Sequence, residues 1–539
     1  MSMISLQQPS GTNEPILYMP SVKTVRAKPL LPAYDYIVVG SGSGGCAVAR
    51  RLIGGTDATV LLIEAGETTF DVPEIDDPRE WVGLGRGAYD WGYNYAPAPH
   101  ANGRVIPIPR GKGIGGSSAI NAMMWYRGNP DDYNGWDRAG ATGWSFADCL
   151  PYFRRCEDWQ GGETDFRGSD GPLRIETSGA LHPLAKAMMV GAGDLGIPLI
   201  DDPNGPVNEG AAPSNFNIAR NKRWSAATGY LLPILDHERL TVLTGSLATG
   251  LIIEKGRCTG VRHVAYGELT ETRVGTAVVL ALGAIDTPRI LMLSGIGPAD
   301  DLSNLGIPVV QDMKGVGQNL QDHPLIQACV FRSKRPLGPK TDNGGGTMIN
   351  WRSRPDLAKP DLHAFPVQGN SAEAPLRARY ETDGEVFSFG FGLMDSKSVG
   401  YMKMLTSEPD GPLEIQPNFL AEAEDRQALV SAYHTIMDLA ETDAMADWVQ
   451  RPVAPDRRLD DSEVAEFIRD GLSTFFHTCG TCKMGSDEMA VTDPTLRVRG
   501  VDGLMIADAS VIPIIPTCNT HAPVTMIGER AADFLMEAA

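Results

Sequence analysis

Three sets of residues in this chain have types and spacings that could do chemistry. Gly40, Gly42 and Gly45 stand in Tyr34-Asp-Tyr-Ile-Val-Val-Gly-Ser-Gly-Ser-Gly-Gly-Cys46, the spacing of a G-x-G-x-x-G turn. Gly40 allows a tight turn out of a strand, Gly42 lets backbone approach a pyrophosphate, and Gly45 lets the following helix pack close to the sheet. The helix N-terminus then offers free N–H groups and a partial positive charge to phosphates. A second apolar run, Ala58-Thr-Val-Leu-Leu-Ile63, ends on Glu64, whose carboxylate can accept both hydroxyls of a ribose. Together these predict a site for the adenosine diphosphate half of a dinucleotide, with FAD and NAD(P) both open. The second set is the nine histidines, imidazoles with a pKa near working pH, none of which spacing alone singles out. The third is Cys479 and Cys482, a C-x-x-C. No second pair or His-x-x-x-His completes a zinc set and no thioredoxin-like context surrounds it, so no metal site is read and unbridged thiols are expected.

The elements that must position these groups are legible in outline. Residues 34–66 read as strand, turn, helix, strand. Residues 103–128 hold four glycines in six positions (Gly111, Gly113, Gly115, Gly116), a loop that can approach a planar or anionic ligand, running into a helix expected from Ser117 or Ser118. An amphipathic helix is expected at 144–158. Residues 240–284 alternate as an antiparallel sheet returning to a parallel strand. Helices follow at Gly283 and over 522–537, and Gly503–Ser510 is a last βα entry. Residues 325–470 alternate with prolines and loops and read as a second domain on an antiparallel sheet. The fold class is α/β, α+β overall: a Rossmann-like nucleotide-binding domain and an antiparallel-sheet substrate domain. The boundaries read as an arm at 1–33, the nucleotide domain at 34–180, 222–324 and 471–539, and the substrate domain at 181–221 and 325–470.

The 539 residues exceed one simple core, so more than one domain is expected. A hydrophobic content of 42% with 21% charged residues is that of a globular protein. The net charge of −20 argues against nucleic acid and anionic membrane as partners. No apolar run approaches the roughly 20 residues of a spanning helix. Residues 1–33 lack the apolar core of a secretory signal and carry Pro9, Pro15, Pro20, Pro29 and Pro32, so an extended arm and a cytoplasmic location are expected.

Four segments together resemble the glucose–methanol–choline (GMC) family of FAD-dependent oxidoreductases. They are the fingerprint at 36–64; Arg110-Gly-Lys-Gly-Ile-Gly-Gly-Ser-Ser-Ala-Ile-Asn121; Gly283-Ala-Ile-Asp-Thr-Pro-Arg289 through Pro298 with Gly315-Val-Gly-Gln-Asn-Leu-Gln-Asp-His-Pro324; and Phe476-His-Thr-Cys-Gly-Thr-Cys-Lys-Met-Gly485 through Asp508-Ala-Ser510 to Asn519-Thr-His-Ala-Pro523. The resemblance covers about residues 34–537 and implies FAD. It implies that Ser43 and Gly44 contact the pyrophosphate and that Glu64 holds the adenosine ribose. Trp91 would lie by the flavin, Gly113, Ser117 and Asn121 would line it, Ala248 would meet the adenine, and Asp508 and Ala509 would hold the ribityl-phosphate region. His477 falls on the family's catalytic histidine and His521 on its second catalytic position. Ile120 stands where some members tether FAD through histidine, which implies non-covalent FAD. Choline-oxidising members follow the Asp-His-Pro pattern with a glutamate that pairs the trimethylammonium. Here Leu325 stands there, and Phe365, close to His363, replaces an aligned histidine. A neutral or aromatic primary alcohol is therefore expected over choline.

Oxidising an alcohol to an aldehyde removes a proton and a hydride, and the resemblance sends the hydride to flavin N5. The hydroxyl lies roughly nine pKa units above imidazole, so full deprotonation first would cost on the order of 12 kcal/mol. The proton must leave largely with the hydride, beside a hydrogen-bond donor that stabilises the oxygen. Two neighbouring imidazoles should not both be charged, so His477 is expected as base and His521 as donor. His323 reads as structural. Three outcomes stay open for the same fold: an oxidase using molecular oxygen, a dehydrogenase using a quinone or other acceptor, and a redox-silent lyase. A homodimer is left open.

Overall fold

The computed structural model describes residues 28–179, 181–265 and 267–538. Most of the proline-bearing arm therefore lies outside the described residues. Of its end, Lys28 donates from Nζ to the carbonyls of His237 and Leu240, both at 2.7 Å.

The nucleotide domain is built on a seven-stranded sheet. Its order is Leu240–Leu243, Val60–Ile63, Ala33–Val39, Glu268–Leu280, Arg257–Ala265, Ala248–Glu254, with Leu504–Ile506 also pairing Glu268–Leu280. The apolar runs at 36–39 and 60–63 are buried because parallel strands are covered on both faces. Leu240–Leu243 is not part of the antiparallel set, as its alternation suggested; it runs parallel beside Val60–Ile63. The three strands over 248–280 do form antiparallel hairpins, and the last turns parallel where it meets Ala33–Val39.

The helix Ser43–Gly55 follows the glycine turn, where Gly40 adopts φ +97°. It crosses the closing helix His521–Glu537 at a glycine contact: a Cβ on Gly528 would lie 2.6 Å from the Gly44 carbonyl oxygen. The two helices can approach so closely only because neither has a side chain there. Their N-termini consequently meet, bringing Ser43 to His521.

No α-helix follows the second glycine loop. Gly116–Ala119 is a single 3₁₀ turn. Gly113, Gly115 and Gly116 all have positive φ, and the Ser118 hydroxyl turns back onto the Gly115 carbonyl at 2.6 Å, so the chain never enters helical geometry. The expected helix at 144–158 is Phe146–Cys156, started by a Ser145/Asp148 capping box.

The second domain is an antiparallel sheet in the order Val449–Ala454, Pro324–Ser333, Val386–Leu393, Leu362–Val367, Thr347–Trp351, Gly210–Pro213. Leu472–Thr474 pairs with the start of Pro324–Ser333, matching Pro324 to Thr474 and Ile326 to Leu472. That pairing seats the chain entering the sheet, with Asp322 and His323, beside the chain leaving it, with Phe475 and His477.

Candidate active site

Asp322 is the anchor of the site. Buried between the two domains' strands, its Oδ1 accepts the backbone N–H of His477 at 2.7 Å and of His323 at 2.8 Å. Its Oδ2 accepts the hydroxyls of Tyr95 and Thr474. Phe476, next to His477, is held at φ +65°, a left-handed conformation costly for a bulky residue. Arg110 donates to its carbonyl and the Thr474 hydroxyl accepts its N–H at 2.7 Å, so several bonds over-determine the turn that presents His477.

The His477 ring is buried and stacks on Phe475, centroids 5.5 Å apart. Its Nδ1 meets Nδ1 of His323 at 2.8 Å and its Nε2 accepts from the Asn519 amide at 3.0 Å. Burial, reinforced by His323, Arg110 and His363, holds its pKa well below the usual imidazole value, so the ring is neutral and can accept a proton. Burial also pushes His323 down to about 3 and His363 down to about 4.

The expectation of a His477–His521 pair is not the arrangement observed. His521 opens the closing helix and its Nδ1 meets the Ser43 hydroxyl at 2.8 Å, while its ring lies edge-on to Trp125. Burial, and then Arg223, lowers its pKa to about 4. Asn519, two residues earlier and still in the loop, is the residue that reaches His477. Sequence reasoning missed Asn519 and His323 as ring partners of His477. The Asn519-Thr-His521 triplet was visible, but which residue faced inward depended on where the helix began.

The other expected residues gather along the glycine loops. Glu64 is buried and accepts four bonds: Ser41 N and Oγ at 3.0 and 2.6 Å on one oxygen, Gly66 N and Gly113 N at 2.9 and 3.1 Å on the other. It thus clasps the two glycine loops together. Ser117 Oγ accepts from Gly111 N at 3.1 Å, and Asn121 Oδ1 accepts from Arg223 at 2.9 Å. Trp91 stacks on Tyr93 with Lys112 Nζ 4.7 Å above its ring. Asp508 accepts Gly283 N at 2.9 Å and the Thr287 hydroxyl at 2.6 Å, joining the 283–293 helix to Ala509. Ala248 opens an antiparallel strand opposite His263.

These residues fit FAD. The Ser43–Gly55 helix has no side-chain cap and no acid in its first turn, so its N–H groups face an anion unopposed. A Cβ on Gly42 would meet no protein atom nearer than 3.8 Å, so the cradle there is open, whereas one on Gly45 would lie 2.0 Å from the Gly40 carbonyl oxygen. Two buried nitrogens, His521 Nε2 and Arg223 Nη2, have no protein partner and can serve a bound group. Cys479 and Cys482 are buried and free, their thiols pushed up by burial, which disfavours the reactive thiolate.

The neutral imidazoles carry a stability cost in acid. A histidine titrating near 6.5 when unfolded but near 3 or 4 when folded gives stability present at neutral pH and lost as pH falls from about 6.5. Between pH 7 and pH 5, His323 and His363 should each remove about 2 kcal/mol. Urea midpoints at the two pH values measure this; equal midpoints would contradict it.

The GMC oxidoreductase family pattern matches residues 34–325 and again 396–528. The chain is 36% identical over 535 residues to an oxygen-dependent choline dehydrogenase of Sinorhizobium fredii, covering 93% of this chain and 95% of that one. It is 36% identical over 538 residues to the mitochondrial choline dehydrogenase of Homo sapiens, covering 93% and 89%. Among solved structures, pyridoxine 4-oxidase from Mesorbium loti superposes with a TM-score of 0.88 at 31% identity, covering 93% and 98%. Among the described residues no helix is long and apolar enough to cross a membrane. With that fold, the fitted FAD cradle and a neutral imidazole beside it, the chain belongs to the GMC oxidoreductases, FAD-dependent enzymes acting on CH–OH donors.

Proposed function

We propose that this enzyme oxidises a neutral, aromatic primary alcohol to its aldehyde, with His477 as base, non-covalent FAD and molecular oxygen as final acceptor. The observation that carries the substrate reading is the electrostatics around His477. The groups lowering its pKa are Arg110, His323 and His363, and the carboxylate bonded to its backbone, Asp322, already accepts four donors. Leu325, where a cation-pairing acid would stand, is buried in the sheet opposite Ser473 and Gly392. Around His477 stand Phe475, and then His363 and Phe365, with centroids 5.9 and 6.0 Å from Phe475. Such rings can hold a quaternary ammonium by cation–π contact or pack an uncharged aromatic ring, and Leu325 in place of an acid favours the uncharged ring.

FAD, when bound, supplies the hydride acceptor. His477 Nε2 takes the hydroxyl proton, and the Asn519 amide that now donates to Nε2 is placed to donate to the alcohol oxygen as charge develops there. The aromatic packing orients the alcohol so that its hydroxyl reaches Nε2. Ile120 offers no nucleophile for tethering FAD.

The likeness to a pyridoxine 4-oxidase supports a heteroaromatic alcohol and an oxidase. The likeness to choline dehydrogenases favours choline as the second reading. An anaerobic screen watching flavin absorbance separates them. Benzyl and pyridylmethyl alcohols should bleach the flavin at least about tenfold faster than choline, and air should then yield hydrogen peroxide. Faster bleaching by choline would overturn the substrate, and bleaching without peroxide in air would transfer the acceptor role to a quinone or another carrier.

A further inference from the structure

The ring contacts of His477 bear on which of its nitrogens carries the proton. Its Nδ1 and that of His323 lie 2.8 Å apart, so one proton sits between them, on one ring or the other. Two arrangements follow. If His477 carries its proton on Nε2, that N–H points at the Asn519 amide N–H, donor against donor, and His323 Nδ1–H donates to His477. His323 Nε2 is then a bare lone pair. The backbone group facing that ring is the Met394 carbonyl, so this arrangement also sets acceptor against acceptor. If His477 instead carries its proton on Nδ1, it donates to His323 Nδ1 and its Nε2 lone pair receives the Asn519 amide. His323 then bears its proton on Nε2, towards Met394. The Asn519 end now pairs donor with acceptor, and His323 turns an N–H rather than a lone pair to the Met394 backbone, although Nε2 makes no full hydrogen bond.

We infer that His323 is a positioning residue that fixes His477 in the Nδ1–H tautomer, so that the Nε2 lone pair faces the reaction space beside Asn519. The inference rests on His477 being the base of the proposed reaction. His323 suits the task because it is fully buried and stays neutral, its pKa pushed down to about 3, so its Nδ1 remains an acceptor throughout the working range. Asp322 sets the geometry by accepting the backbone N–H of both histidines on one oxygen. When His477 gains a proton on Nε2, its Nδ1–H already has an acceptor, which strengthens as the ring becomes charged. His323 thus does through a neutral ring what a carboxylate does behind a catalytic histidine elsewhere, where losing the orienting group leaves the wrong tautomer and a large rate loss.

The test reads the tautomer without substrate. In FAD-loaded enzyme labelled with [¹⁵N]histidine, with His477→Ala used to assign its signals, His477 should show a protonated Nδ1 and a bare Nε2. His323→Leu, which cannot accept, should mix or reverse that pattern and slow bleaching by the best alcohol about 10²–10³-fold. His323→Asn, whose amide oxygen sits near the lost Nδ1, should restore the tautomer and bring the rate within about tenfold of the native enzyme. Should His323→Leu not fold, the native spectrum and the asparagine variant still decide. A native His477 protonated on Nε2 overturns the inference, as does a leucine variant with unchanged tautomer and a rate within about threefold. An enzyme with the expected tautomer that no alcohol bleaches defeats the functional reading and leaves the tautomer assignment standing.

Discussion

Replacing His477 with alanine should leave folded, yellow, FAD-bound protein in which alcohol bleaches the flavin about 10²–10⁴-fold more slowly. The size follows from the site's chemistry. Arg110 is cationic, Asp322 is occupied by four donors, and the Asn519 amide nitrogen has no lone pair to offer a proton. No other group in contact with His477 except His323 can act as a base, and His323 lies behind the ring. A loss of 10²–10⁴ corresponds to about 2.7–5.4 kcal/mol of transition-state stabilisation. FAD should remain because the cradle comes from Gly40–Gly45, Glu64 and the 111–117 loop, none of which bonds to the imidazole. Anaerobic stopped-flow at saturating alcohol measures the effect, and a rate near that of the native enzyme would sink the assignment.

Gly44→Ala and Gly42→Ala should part company although the two positions are nearly adjacent. A Cβ at Gly44 would lie 1.9 Å from the Ala507 carbonyl oxygen, a backbone atom that cannot rotate away. The helix would have to lift off the sheet and off Gly528, at a cost of about 3 kcal/mol or more. Gly44→Ala should be recovered in low yield, without FAD, and melting at a markedly lower temperature. At Gly42 the nearest atom is 3.8 Å away and φ is −69°, which alanine adopts freely. Gly42→Ala should fold with a normal apoprotein melt and bind FAD at least tenfold more weakly, because its methyl group occupies the approach of the pyrophosphate. Thermal melts and flavin content of the two proteins decide it; a Gly44→Ala enzyme with native melt and flavin content would refute the packing argument.

The contrast shows where sequence reasoning reaches. The glycine fingerprint is local: turn, strand and helix lie within 31 residues, so spacing alone indicated Gly40–Gly45 and Glu64. The antiparallel character of 325–470 was legible from alternation. The helix expected after Ser117 failed because a run of positive-φ glycines overrides the propensity of the residues that follow. The partners of His477 were the hardest to see. His323 reaches it through a strand pairing that joins positions 154 apart, and the expectation for it had been a structural role. Asn519 and His521 differ by two positions, and the helix beginning at His521 turns one ring toward Ser43 and leaves the Asn519 amide facing His477. Nothing in the residue types of that triplet encodes the rotation.

The pairing of Pro324–Ile326 with Leu472–Thr474 has a further consequence. The chain enters and leaves this sheet at adjacent points, so the segment between them has neighbouring ends, tied to the rest through Gly210–Pro213 and Gln318–Leu320. An exchange with a relative that carries Gly210–Pro213 along and keeps the pairing to Gln318–Leu320 leaves the backbone at Asp322 and His477 in place. Substrate preference in this enzyme should therefore be transplantable in two pieces: a graft of residues 326–471 together with 210–213 would carry the recognition of the alcohol with it, while the oxidising half stays in place.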